Sequence, residues 1–305
     1  MLAKGLWSQW RYMSKLILPV PPCKKDPTCM AQKIIDAVKG KTVDKSMLGK
    51  NIAYIGGYGS IGFACCKQMI TAGAKQIVVL DVKGSCKKQR VLHCTNPKVG
   101  LNFVKLDFCE GRDAIDEALA ETVKHMGHID ILVNGSGVID DRHPAKTMEV
   151  NLIGVVETTL AAIPLMSHSS GGKGGLIVNI SSVWGLEPAG FIAVYTASKH
   201  AIIGFTRSLA HDLYFQQTGI VHMTICPGPT EQENPINFVG KDTFHISQPL
   251  SEKMMGLKRQ PADICAVQML KAMKTYENGS VWIVAGGKLQ KVKMATFWDN
   301  PFRKH

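Results

Sequence analysis

From Asn51 to Gly286 the chain alternates short runs rich in Val and Ile with segments of helical period, and this alternation restricts the fold more than any other feature. The apolar runs are Asn51–Ile55, Gln76–Leu80, Leu101–Leu106, Ile129–Val133, Gly175–Ile180, Ile220–Cys226 and Val281–Val284. Between them lie amphipathic stretches such as Ala114–Met126 and Ala193–Gln217, long enough to be crossover helices. Strand, helix, strand repeated six times predicts an α/β fold, a doubly wound parallel sheet covered on both faces. Ligands of such sheets sit at the carboxyl ends of the strands, where strand order reverses. The pattern fills one domain, residues 50–305, behind an N-terminal extension, residues 1–49. A second irregular stretch, from Glu231 to about Arg259, has neither strand nor long-helix character and is placed where a lid would be.

The first run leads straight into Gly56-Gly57-Tyr58-Gly59-Ser60-Ile61-Gly62 and then into a helical segment. Gly57, Gly59 and Gly62 make GxGxxG in a strand-turn-helix context, where missing side chains let the backbone, with Ser60 and Ile61, approach a pyrophosphate at the helix N-terminus. The motif alone is weak, but the second run ends on Asp81, nineteen residues beyond Gly62. A carboxylate there accepts hydrogen bonds from ribose hydroxyls and repels a 2′-phosphate, which favours NAD over NADP. Lys83 keeps the phosphorylated cofactor open, because a lysine beside that carboxylate could pair with the extra phosphate.

Tyr195-Thr196-Ala197-Ser198-Lys199 opens a long helical pattern, and a spacing of four puts phenol and ammonium on one helix face. An adjacent cation favours the phenolate, so the pair can serve as a general base. Thirteen residues before Tyr195, the run Ile177-Val178-Asn179-Ile180 ends in Ser181-Ser182. The Ser182 hydroxyl can hold a substrate oxygen as alkoxide character develops. Hydride transfer from an alcohol needs this set, because the hydroxyl proton must leave as the carbon yields its hydride.

Together these residues resemble the short-chain dehydrogenase/reductase family over about Lys50 to Gly287, with its Rossmann-type fold. The resemblance rests on an ordered set: the glycine turn, Asp81, Asp107, Asn134-Gly135-Ser136-Gly137, Asn151, Ser182, Tyr195, Lys199 and Pro227-Gly228-Pro229-Thr230. It implies that Asp107 touches the adenine, Asn134 braces the central strands and Asn151 completes a proton relay from Lys199. It further implies that Gly135, Pro227 and Gly228 line the cofactor site and that Thr230 binds the nicotinamide amide. Within the family the chain is similar to the insect-type alcohol dehydrogenases and their hydroxyprostaglandin-dehydrogenase-like relatives. That likeness rests on Val133 to Asp141, Met148-Glu149-Val150-Asn151, Asn278-Gly279-Ser280-Val281-Trp282 and Phe297-Trp298-Asp299. Ser136, Phe108 and the 50-residue leader depart from the pattern. The resemblance implies a homodimer or homotetramer built on the long helices.

The formal charge of +12 is concentrated at one end. Residues 1–50 hold ten Lys/Arg against three Asp/Glu, and the rest hold 26 against 21, without an aromatic-studded basic stripe. Nucleic-acid binding is therefore disfavoured. Nine cysteines without regular spacing predict reduced thiols, and the sequence offers no run of ~18 apolar residues, so the protein is read as not integral to a membrane. Leu2, Leu6, Trp10, Met13 and Ile17 recur at spacings of three or four among Lys4, Arg11 and Lys15, as in a mitochondrial presequence or a partner-binding arm. Pro19, Pro21, Pro22 and a second helical stretch, Ala31–Lys39, favour a retained arm and a cytoplasmic location. Ile139, Trp184, Phe191, Ile192, Phe238, Phe244, Met254 and Met255 are the candidate pocket, apolar enough for a secondary or lipid-like alcohol or its ketone. NAD-dependent alcohol oxidation is the leading expectation. An NADP-dependent carbonyl reductase and a catalytically idle nucleotide-binding protein are the alternatives.

Overall fold

The computed structural model describes residues 47–233 and 240–295. The helical stretches expected in the leader, Phe238, and the aromatic residues Phe297, Trp298 and Phe302 of the tail lie outside the described residues. One eight-stranded sheet runs through the domain in the order β3-β2-β1-β4-β5-β6-β7-β8. The strands are β1 (Asn51–Ile55), β2 (Gln76–Asp81), β3 (Gly100–Lys105), β4 (Ile131–Asn134), β5 (Gly175–Ile180), β6 (Ile220–Pro227), β7 (Val281–Ala285) and β8 (Lys288–Lys291). The first seven are parallel, in register from Ile52↔Ile77 and Ile52↔Ile131 outward. Strand order reverses between β1 and β4, so the ligand crevice is expected beyond Ile55 and Asn134.

The helices are α1 (Ser60–Thr71), α2 (Cys86–Thr95), α3 (Arg112–Met126), α4 (Pro144–Met148), α5 (Gly154–Met166), α6 (Ala193–Leu209), α7 (Asp212–Thr218), α8 (Gln248–Met255) and α9 (Ala262–Met273). The two-residue period of β1 divides its side chains between two cores. Ile52 and Tyr54 pack with Cys66, Met69 and Met269 on the α1/α9 face, whereas Ala53 and Ile55 pack with Ile115, Leu119 and Val155 on the face of α3, α5 and α6. Strands buried on both faces explain why the runs read as continuously apolar rather than alternating.

Three details differ from the sequence expectation. The expected helix Ala193–Gln217 breaks after Leu209, where His211 turns extended and its Nδ1 accepts from the Leu213 amide at 3.2 Å, capping α7. An eighth strand, β8, pairs antiparallel with β7 across Gly286-Gly287, both at positive φ as a two-residue hairpin requires. Finally, α4, a π turn (Glu149–Ile153) and α5 run on as one 23-residue helix, long and apolar enough by composition to cross a membrane. Here it is a layer of the fold: Val155, Ala161, Ala162 and Met166 join the core, and Thr159 meets Asn134 of β4.

Candidate active site

A cleft of about 1030 Å³ opens at the carboxyl ends of the strands and joins the glycine turn to the Tyr195 helix. At its upstream end α1 starts directly under the turn. Gly62 presses so closely on it that a Cβ would lie 2.2 Å from the Gly56 carbonyl oxygen and 2.9 Å from the Gly57 Cα. Gly59, Ser60, Ile61 and Gly62 line the cleft; Gly57 does not, and its missing side chain instead makes room for Val79. Asp81, at the tip of β2, accepts from the Tyr58 amide at 3.0 Å and the Val82 amide at 2.9 Å. Burial raises its pKa, while those two amides and the Lys88 ammonium work against the rise. Asp107 caps the turn after β3 through the Cys109 amide, and both line the cleft.

The downstream wall is built by β5, β6 and α6. Tyr195, Ser182 and Lys199 all line it, and all three are almost fully buried. Burial pushes the Tyr195 phenol up to about 12, against a hydrogen bond with Ser182 that lowers it. Burial likewise brings Lys199 down to about 8. The sequence reading has the lysine depress the phenol, but in this arrangement desolvation decides. The ammonium donates to the Ile180 carbonyl at 3.1 Å and lies 5.7 Å from the centre of the Tyr195 ring. Trp184 stands edge-on to both Tyr195 and Phe191, and with Ile139 and Met254 it forms an apolar patch around the phenol.

Asn151 sits in the π turn, a kind of bulge that helices often place at functional sites. Its side chain is committed to Val138, accepting from the amide and donating to the carbonyl at 2.8 Å each, and it also donates to Ser198 Oγ at 3.3 Å. The side-chain amide is thus a brace of the β4 loop; no direct contact with Lys199 accompanies it among the described hydrogen bonds. Both groups nevertheless converge on Gly137, where a Cβ would meet Lys199 Nζ at 3.3 Å and Asn151 Oδ1 at 3.4 Å. Asn134 braces the strands as expected, donating to Thr159 Oγ1 at 3.0 Å and Asn179 Oδ1 at 2.7 Å. Gly135, Pro227, Gly228 and Thr230 line the cleft.

Two positioning residues escaped the sequence reading. Asp141 is buried and receives the Val194 and Tyr195 amides at 2.7 and 2.9 Å and the Thr243 hydroxyl at 2.8 Å. It caps α6 from a distant loop, since Ile192 at the N-cap offers no side-chain acceptor. Gln260 donates to Thr230 Oγ1 at 3.1 Å and the Val284 carbonyl at 2.8 Å, and accepts from the Gly287 amide, closing the base of the lid. The lid itself contains α8, which the sequence reading left irregular. Of its candidates Met254 reaches the cleft, whereas Phe244 and Met255 point away, 67% and 39% exposed.

A sequence model of the short chain dehydrogenase family matches residues 50–238. The chain belongs to the short-chain dehydrogenase family. It is an oxidoreductase, similar to insect proteins along nearly their whole length. "Alcohol dehydrogenase 1" of Ceratitis cosyra is 39% identical over 254 residues, 83% of this chain and 98% of that protein. "Fat body protein 2" of Drosophila melanogaster is 37% identical over 251 residues, 82% and 98% respectively. Among solved structures, levodione reductase superposes with a TM-score of 0.67 at 20% identity, covering 79% of this dehydrogenase and 97% of that chain. A xylitol dehydrogenase gives 0.65 at 21%, covering 79% and 99%. At such identities these superpositions speak for the fold alone, and the fold is the one the alternating runs predict.

Proposed function

We propose that the chain oxidises a secondary or lipid-like alcohol to its carbonyl with NAD as the hydride acceptor. The observation that carries this reading is convergence: Tyr195, Ser182 and Lys199 share one cleft with the glycine turn and Asp81. The residues present fit a dinucleotide, since the space a Cβ at Gly62 would fill belongs to the turn and Asp81 stands at the tip of β2. When bound, the nicotinamide supplies the hydride acceptor. Ser182 holds the substrate oxygen and Tyr195, in its phenolate form, which grows with rising pH, takes the hydroxyl proton as the carbon gives up its hydride. Lys199, with its pKa drawn down to about 8, is the neighbouring group that exchanges protons near neutrality. Trp184, Ile139 and Met254 exclude water from the reacting end and suit an aliphatic substrate. Relatives bearing the name alcohol dehydrogenase support the substrate class. The same reading takes the enzyme to act as a homodimer or homotetramer in the cytoplasm. The seven described cysteines, none in a disulfide, fit that location.

A second reading, NADP-linked reduction of a carbonyl, draws on two observations. Lys83 lines the cleft beside Asp81, and Tyr195 at about 12 is a phenol at neutral pH, the form that donates a proton.

The test follows absorbance at 340 nm while the purified protein meets NAD or NADP and a panel of primary, secondary and lipid-like alcohols. Formation of NADH that quickens with rising pH, and that falls roughly 10²- to 10⁴-fold in Tyr195→Phe, is the expected result. Turnover indifferent to that substitution would remove Tyr195 from the mechanism, and turnover with NADP alone would favour the second reading.

A further inference from the structure

Tyr58, the middle residue of the glycine turn, is held at both ends of its backbone. Its amide donates to Asp81 Oδ2 at 3.0 Å, and its carbonyl accepts from Lys88 Nζ at 2.6 Å. Lys88 belongs to the first turn of α2, which Ser85 caps, so the helix start aims this lysine back at the turn. One residue therefore separates the carboxylate that would face the ribose hydroxyls from an ammonium group. Such an ammonium would attract a 2′-phosphate if nothing compensated it. Something does compensate it: Glu233, from the loop beyond β6, sits 2.5 Å from Lys88 Nζ. That loop is tied across the crevice by a second bond, from the Glu233 amide to Ser60 Oγ at 2.8 Å, at the first residue of α1. Two separate contacts thus bring an acidic side chain from the far bank of the cleft onto a lysine that braces the glycine turn.

We propose that the Lys88–Glu233 pair sets cofactor choice: Glu233 occupies Lys88 and so leaves Asp81 to repel a 2′-phosphate. The inference rests on the dinucleotide reading of the cleft. It differs from that reading in naming a residue outside the adenosine wall, and one on the substrate-side loop, as a determinant of specificity. The pair is partly solvated, with Lys88 20% and Glu233 57% exposed, so the effect is modest and salt-sensitive.

The full-length protein is titrated separately with NAD and NADP, following tryptophan fluorescence or heat, in the wild type, Glu233→Gln and Lys88→Met. Freeing the lysine in Glu233→Gln is expected to tighten NADP relative to NAD by about three- to fivefold. Lys88→Met is expected to weaken NADP relative to NAD by a similar factor. Both changes should shrink at high salt, and Lys88→Arg and Glu233→Asp, which keep the charges, should hold the wild-type ratio. If the pair were only a structural strap, both nucleotides would weaken together in Glu233→Gln and the ratio would stand still; that result overturns the proposal. Wild-type protein that binds NAD, with variants whose ratio does not move, overturns it equally. Wild-type protein that binds neither nucleotide instead removes the dinucleotide reading, and the proposal with it.

Discussion

The two ends of the cleft are built on opposite principles. At the glycine turn, backbone packs against backbone with no room for a single added carbon: a Cβ on Gly62 would lie only 2.2 Å from the Gly56 carbonyl oxygen. At the lid, Phe244, Ile246 and Leu250 are 67%, 89% and 49% exposed, and among the described lid candidates Met254 turns inward whereas Phe244 and Met255 do not. A site for an invariant chemical fragment can be rigid, because the fragment's shape does not vary. A site for a varied aliphatic substrate gains from a cover whose own packing contributes little to folding. The contrast is one of energy as much as of form.

Substitutions can break that contrast. The largest effect is expected at Gly62→Ala, where the new methyl must displace the Gly56 carbonyl; a loss of more than about 3 kcal/mol in urea unfolding, with loss of nucleotide binding, is the predicted outcome. Wild-type stability there would mean that the turn yields as easily as the lid. The catalytic wall, between the two ends, is expected to show its cost through pH. Lys199 has a folded pKa of about 8 against its usual 10.5, so below pH 8 the folded protein bears a buried ammonium. Between pH 8 and 10.5 the unfolded chain holds a proton that the folded chain has shed, and stability rises with pH. Relative to Lys199→Met, the wild type should gain about 3 kcal/mol across that window, and parallel curves for the two proteins would contradict it. The smallest effect belongs to the lid. Phe244→Ser is expected to leave unfolding unchanged within about 0.5 kcal/mol, and a loss comparable to that of Gly62→Ala would erase the distinction between the two ends.

What could be read from the sequence follows from how local the cause is. The seven parallel strands were legible because burial on both faces writes itself as a near-continuous apolar run, as in β2, where Ile77, Val78, Val79 and Leu80 are all buried. The glycine turn, Ser182, Tyr195 and Lys199 were legible because each lies at the end of such a run or at a fixed helical spacing. Asp141 was not: its partners Val194 and Tyr195 are more than fifty residues away, and nothing near it in the chain announces a cap. Gln260 escaped for the same reason, bonding to Val284 and Gly287 across the fold. The hairpin to β8 carried a local signal in Gly286-Gly287, but Lys288–Lys291 is too charged to read as a strand. The break at His211 depends on a ring nitrogen acting as a cap, a choice the helical period does not register. The direction of the Tyr195 shift was misjudged because spacing reports neighbours and says nothing of how dry they are.

That final strand also governs how the sheet meets the outside. An open parallel sheet ending at β7 would present Val281–Ala285 as a ready template for a strand from another molecule. Instead the border is a four-residue ribbon with a lysine at each end, one of them, Lys291, paired with Glu277. Short, charged and turned against its neighbours, it discourages edge-to-edge growth, so that chains crowded together during synthesis are less apt to zip into one another along this side.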